Sequence, residues 1–139
     1  MTVASIFFIV NERGQSQGAI SGRHHTNPKL KPFRESVGWQ ALEARNKSGM
    51  HEPAAAHTPI RLELDFYFER PASVPATELF PTHGHIPDLD HLQRAVSDSL
   101  AGIMYENDRD VVDCHSRKWY GKPRCEITVR LAATEGVQE

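Results

Sequence analysis

Disulfides, a membrane anchor and a strong net charge are all missing from this chain, and each absence excludes a class of protein. The two cysteines, Cys114 and Cys125, are too few for a disulfide scaffold in 139 residues and are not spaced as a zinc knuckle. Both read as reduced, buried small side chains. The longest apolar run, Ala4 to Val10, falls far short of the ~20 residues that cross a bilayer. The first residues carry no basic segment, and Asn11-Glu12-Arg13 stands where signal cleavage would need small residues. A cytoplasmic protein with no membrane partner is therefore expected. Sixteen Lys and Arg against eighteen Asp and Glu leave a net charge of −2, which argues against holding nucleic acid by bulk charge. The length suits one modest core, so residues 1–139 are expected to form a single domain.

The charges that are present are unevenly spread. Between His85 and Asp113 stand seven acids (Asp88, Asp90, Asp98, Glu106, Asp108, Asp110, Asp113) and two bases, Arg94 and Arg109. From Arg13 to Arg34 there is no acid, only Arg13, Arg23, Lys29, Lys31 and Arg34 with His24 and His25. A second basic group, Arg117, Lys118, Lys122 and Arg124, interleaves with Trp119 and Tyr120, a mixture suited to phosphates and exposed bases and equally to solvated turns. Trp119 and Tyr120 themselves fit base stacking, a cap on the core or a dimer interface. The close pairs His83-Gly84-His85 and His24-His25 have no cysteine or third histidine at structural-zinc spacing, so they read as loop histidines.

Periodicity supplies the elements. Val3 to Val10, rich in β-branched and aromatic residues, predicts a first strand buried on both faces. Residues 11–27, punctuated by Gly14, Gly18 and Gly22, predict a long basic loop. Pro28 or Pro32 then opens a helix to about Asn46, with Phe33, Val37, Leu42 and either Ala41 or Trp39 as its apolar stripe. Ile60 to Phe68 alternates strictly and predicts a strand with one core face. Residues 70–87, with Pro71, Pro75, Pro81 and Pro87, predict an extended loop. Asp90 and Gln93 fit a capping box before a helix marked by Leu92, Val96, Leu100 and Ile103, with Gly102 helping to end it. Val111 to Lys118 and Cys125 to Leu131 predict the two arms of a hairpin, and residues 132–139 a tail. The order β-α-β-α-β-β predicts an α/β (α+β) domain of one mixed sheet and two helices.

Chemistry concentrates in the acidic window. Asp88 and Asp90 stand two residues apart at a helix mouth, where carboxylates can share a hard cation, and Asp108 returns from a later turn. Asp90, Arg94 and Asp98 succeed one another at i+4 along one helix face. Each also has a purely structural reading: Asp90 as an N-cap, Asp88 as a partner of the helix dipole, Asp108 and Asp110 as turn formers.

The run Pro87-Asp88-Leu89-Asp90-His91-Leu92-Gln93-Arg94, continued by Asp98, Leu100 and Gly102, then Asn107-Asp108-Arg109-Asp110-Val111 and Lys118, resembles the RusA family of Holliday-junction resolvases. That family's pattern is close to P-D-x-D-N-L-x-K-x-x-x-D-x-L-x-G followed by D-D-x-Q-V and a basic residue. Residues 60–131 can be laid on it without large gaps, and the front half matches more loosely. The resemblance implies a homodimeric, Mg²⁺-dependent endonuclease, with Mn²⁺ as a substitute, that binds four-way DNA junctions and nicks two opposing strands in recombination and repair. Family members of this form are frequent in phages and prophages. By the same resemblance Asp88, Asp90 and Asp108 are the metal-binding catalytic acids, Arg94 a catalytic cation, and His91 and Asp98 supporting residues. Phosphate contacts would fall to Arg13, Arg23, Lys29, Lys31, Arg34, Arg117, Lys118 and Lys122. The chain departs from the pattern at His91 (usually Asn), Arg94 (usually Lys), Asn107 (usually Asp) and Asp110 (usually Gln). A broader branched-DNA or flap nuclease, or a junction-binding module without catalysis, are the competing readings.

Overall fold

The computed structural model describes residues 5–11, 27–82 and 86–132, and side chains in the first helix from Leu30 onward. Arg13, Arg23, the Lys29 side chain and most of the expected 11–27 loop lie outside the described residues, as do residues 83–85 and 133–139. The elements run β1 (Ser5–Asn11), α1 (Asn27–Lys47), β2 (Ile60–Phe68), α2 (Leu89–Leu100), a 3₁₀ turn (Asp108–Asp110), β3 (Val111–Tyr120) and β4 (Arg124–Leu131). This is the expected β-α-β-α-β-β order. Pro28 occupies the first turn of α1, where its missing N–H costs nothing, and Pro32 is accommodated one turn further in.

The four strands form one mixed sheet in the order β1-β4-β2-β3, with β2 and β3 parallel and the other pairs antiparallel. The expected hairpin is therefore not formed: β3 and β4 are consecutive, but β2 lies between them. The α2 crossover imposes this, because two strands joined through a helix pair in parallel. Residues 121–123 then carry the chain over the end of β2, where the Gly121 N–H donates to the Phe68 carbonyl at 2.9 Å. A β-carbon on Gly121 would stand 3.0 Å from the Tyr67 ring, so the crossing hugs that side chain closely. The central strand, apolar at every second residue, thus has both backbone edges satisfied.

Both helices cover one face of the sheet. Ile60, Leu62, Leu64, Phe66 and Phe68 meet Leu30, Phe33, Val37 and Ala41 from α1 and Leu92, Ala95, Val96 and Leu100 from α2. Phe33 and Phe66 pack edge-on with ring centroids 6.5 Å apart. Burying each such side chain contributes about 1.5–3 kcal/mol. Ala41, not Trp39, completes the α1 stripe, and Trp39 is 72% exposed. The first strand also differs from expectation. Only Ile6, Phe8 and Val10 are buried, because among the described elements both helices lie on one face of the sheet.

The face opposite the helices is a mosaic of ion pairs. Arg61 bonds Asp113 at 2.8 Å, Arg117 bonds Asp65 at 2.9 Å, Arg124 bonds Glu126 at 2.8 Å, and Arg130 bonds Glu63. Trp119 Nε1 also donates to Asp65, at 2.8 Å. Burial pushes the Asp65 carboxyl up, but the hydrogen bonds from Arg117 and Trp119 outweigh it and hold the group below the usual carboxylate range.

Candidate active site

The loop after β2 delivers the chain to the start of α2 at the carboxyl ends of the parallel pair β2 and β3, the usual position for sites in α/β sheets. Residues 70–82 contain no helix or strand, as expected, but they are pinned by the buried Val74 and Pro81. Lys118 fixes the last step of this approach. Its ammonium donates to the Pro87 carbonyl at 3.2 Å, and burial lowers its pKa while the charge of Asp88 opposes that shift.

The expected capping box is not present. Asp88 occupies the N-cap position with extended backbone but makes no side-chain cap bond, and Asp90 lies inside the first turn. Gln93 is engaged elsewhere: its side-chain oxygen accepts from the Ser116 hydroxyl at 2.7 Å, tying α2 to β3. With neither carboxylate consumed by capping, Asp88, Asp90 and His91 can each bring one ligand atom within 4.8 Å of the other two. Both aspartates are exposed and His91 is half-buried, with Nδ1 standing 3.8 Å from the Asp88 carboxylate. The donor set is mostly carboxylate oxygen, which suits a hard cation that keeps several waters. One imidazole nitrogen makes Mn²⁺ at least as well matched as Mg²⁺.

Asp108 does not join that group; it faces the other end of the same helix. Asp90, Gln93, Arg94, Ser97, Asp98 and Asp108 line one cleft, and the α2 members follow the i, i+3, i+4, i+7, i+8 pattern of a single helix face. Asp98 and Asp108 are within hydrogen-bonding reach of one another. Burial first, then the hydrogen bond and charge of Asp108, raise the Asp98 pKa; Arg34 and Arg94 pull it down. Arg34, from α1, approaches the Asp98 carboxylate at 3.8 Å. The sequence pointed to Arg94 as the partner of Asp98, and the contribution of Arg34 across the helix pair was not legible there.

The turn-former reading divides between residues. Asn107 caps the 3₁₀ turn by accepting from the Arg109 N–H at 2.9 Å. Asp110 is buried and accepts from the His57 N–H at 3.3 Å. Asp108 caps neither and points its carboxylate to Asp98.

The expected basic group of 117–122 is split by strand alternation. Lys118, with Ser116, faces the helix side and reaches the Asp88 loop. Arg117 points to the opposite face, where Asp65 holds it. Lys122 is exposed in the crossing beyond β3, and Lys31 is exposed on α1 one turn before Arg34. Trp119 is held by Asp65 and stacks tilted against Phe80 at 5.3 Å, so it belongs to that same opposite face.

A family model described as endodeoxyribonuclease RusA matches residues 9–130, which takes in β1 and α1 as well as the acidic window. The uncharacterized protein YqaN of Bacillus subtilis (strain 168) is 29% identical over 133 residues, covering 85% of this chain and 87% of that protein. Among the described residues no helix is long and apolar enough to cross a membrane.

Proposed function

The chain belongs to the RusA endodeoxyribonuclease family, and from that premise we propose that it is a Mg²⁺-dependent endonuclease, with Mn²⁺ as a substitute, that binds four-way DNA junctions as a homodimer and resolves them by paired symmetric nicks. The observation that carries this reading is the cluster of Asp88, Asp90 and His91 at the open end of a cleft that also holds Asp98 and Asp108. So many carboxylates around one cleft repel each other unless a cation is shared, and the exposed pair leaves room for phosphate oxygens.

In this reading Asp88 and Asp90 hold the cation, with His91 beside them, and Asp108 enters from the 3₁₀ turn with Asp98 supporting it. The cation supplies Lewis acidity and positive charge at the scissile phosphodiester. Arg94 offers a planar guanidinium fork, so it clamps a phosphate. Lys118 orients the Pro87 carbonyl and thereby the approach to Asp88. Arg34 and Lys31 on α1 and Lys122 beyond β3 extend the phosphate grip, and Arg13, Arg23 and the Lys29 side chain, which lie outside the described residues, complete the proposed set. Arg117 is left out of that grip, because it is neutralised by Asp65 on the other face. A DNA substrate of this kind implies a cytoplasmic, nucleoid-associated protein.

The test compares nicking of four-way, flap and linear duplex DNA by wild type and by Asp90→Asn. Losing one anionic ligand from the cation site costs several kcal/mol at the transition state, so cleavage should fall by about 10²–10⁴-fold while junction binding persists or tightens. Wild-type cutting by Asp90→Asn removes Asp90 from the site. Equal cutting of linear duplex refutes junction selectivity in favour of a broader nuclease, and binding without any nick in Mg²⁺ or Mn²⁺ marks a non-catalytic module.

A further inference from the structure

A carboxamide carries an acceptor oxygen on one arm and two N–H donors on the other, so fixing one arm decides what the other can reach. Gln93 is such an amide in the acidic cleft, three residues after Asp90 and four before Ser97, with Asp98 and Asp108 beyond. Its oxygen is taken by β3, accepting from the Ser116 hydroxyl at 2.7 Å. Among the described residues its nitrogen donates to none of the three carboxylates around it. A second contact sets the direction of the amide. Ser116 Oγ also stands 3.5 Å from Cys114 Sγ. Burial pushes the Cys114 thiol up, against the hydrogen bond with Ser116, so the sulfur keeps its proton at neutral pH and can donate it to Ser116 Oγ. The hydroxyl then gives its own hydrogen to the Gln93 oxygen, and the –NH2 arm is the one left for the cleft.

We propose that Gln93 is a substrate contact, its amide oxygen held by Ser116 so that the –NH2 arm donates to a phosphodiester oxygen of DNA lying in the cleft. The substrate is that of the preceding reading, and the inference rests on it for that. Ser116 does not itself reach the DNA and is a positioning residue.

Two physical features suit an amide to this place. A cation beside these acids is drawn into pairing with them, as Arg34 is with Asp98 at 3.8 Å, whereas a neutral amide stays available, and its bond to an anionic oxygen is charge-assisted. An unheld glutamine would also lose its rotamer freedom on meeting DNA. One already fixed by Ser116 has lost that freedom on folding, so the donor is preorganised.

The test measures four-way junction affinity by fluorescence anisotropy in EDTA at low salt, with melting temperature and circular dichroism as fold controls. The proteins are wild type, Gln93→Met, Ser116→Ala, Ser116→Thr and the double variant Gln93→Met/Ser116→Ala. Gln93→Met keeps the length and removes both donors, so binding should weaken by about 5–10-fold, the range of a single hydrogen bond. Ser116→Ala frees the amide and should weaken binding by about 2–4-fold, and Ser116→Thr, which keeps the hydroxyl, should restore it. The double variant should bind like Gln93→Met alone, because Ser116 acts through the amide. A bond that only ties α2 to β3 would lower the melting temperature and leave affinity unchanged. That result overturns the proposal, as does a double variant in which the two losses multiply. If Gln93→Met fails to fold, Gln93→Glu decides, since it keeps an oxygen for Ser116 and replaces the donors with a second oxygen: a loss of about 10-fold supports the contact and wild-type affinity refutes it. Nicking in Mg²⁺ is scored separately. A wild type that binds junctions through Gln93 and cuts none supports the contact while refuting the nuclease reading, and nicking with Gln93→Met at wild-type affinity does the reverse. Wild type without affinity for the junction overturns both.

Discussion

Replacing Asp110 tests whether the position of Asp108 is built by the connector far upstream. Among the described residues Asp110 is the buried carboxylate, 5% exposed, and it accepts the His57 N–H at 3.3 Å with Arg109 Nε 4.0 Å away. His57 has φ +68, a left-handed backbone that a β-carbon disfavours, so the bond from its N–H helps hold a strained residue. Asp110→Ala removes that acceptor and leaves the N–H unsatisfied, which costs about 1–3 kcal/mol. At about 3–5 °C per kcal/mol for a domain of this size, the melting temperature should fall by roughly 3–15 °C. Asp110→Asn keeps an acceptor oxygen and should lose less than half as much. Junction nicking, assayed well below the lowered melting point, should slow by about 10-fold for Asp110→Ala, since a misplacement on the ångström scale near the site has large kinetic effects. A melting temperature within about 2 °C of wild type, or an Asn variant as unstable as the Ala variant, would refute this account of the contact. Normal stability loss with unchanged nicking would show that the 3₁₀ turn holds Asp108 without help from Asp110.

Asp98 should make stability depend on pH in the direction opposite to an ordinary ion-paired acid. Its folded pKa is raised by burial and by Asp108, so stability is present below the unfolded value of about 3.8 and declines as pH rises through the raised value. Asp98→Asn should therefore be the more stable protein at neutral pH, by about 0.5 kcal/mol on the screened scale of surface charges, with the difference closing in urea titrations near pH 3. Parallel curves for the two proteins from acid to neutral pH would dismiss the like-charge pair. Arg117→Ala should cost about 0.5–1 kcal/mol of stability through the lost Asp65 pair, yet leave junction affinity and nicking within about twofold of wild type. A 10-fold loss of either would place Arg117 on the DNA after all.

The elements were legible wherever one strong period ran undisturbed. Strict alternation in Ile60–Phe68 and Arg124–Leu131, and the helical spacing of Leu92, Val96 and Leu100, each match what is buried. Pairing was less legible, because the residues at 121–123 suit a tight hairpin as well as they suit a crossing over β2. The decisive signal was present at longer range: strand, helix, strand in β2, α2 and β3 calls for parallel neighbours, which leaves β4 to the other side of β2. The apolar run of β1 misled in another way, since composition cannot distinguish a strand covered on both faces from one that buries alternate residues against a single helix layer. At the site, Asp88, Asp90 and His91 were readable because they share one helix start. The meeting of Asp98 with Asp108 and Arg34 depends on how residues 101–107 return along α2, through the left-handed Gly102 and the Tyr105 hydroxyl bonded to the Ser97 carbonyl at 2.8 Å. No spacing in the sequence encodes that return.

Strand parity divides the charges of a chain whose net charge is −2. Once Lys118 is turned inward to Pro87, alternation turns Arg117 and Trp119 outward, and the same rule sends Arg61, Arg124 and Arg130 to that outer face. There four arginines meet four acids, Asp113, Asp65, Glu126 and Glu63, so the outer face carries its basic residues in neutral pairs. Among the described residues Arg94 lines the acidic cleft on the helix side, Arg34 approaches it through Asp98, and Lys118 reaches the loop before α2. Under the proposed reading a polyanion meets these cations on the helix side, which also holds the carboxylates of the cleft.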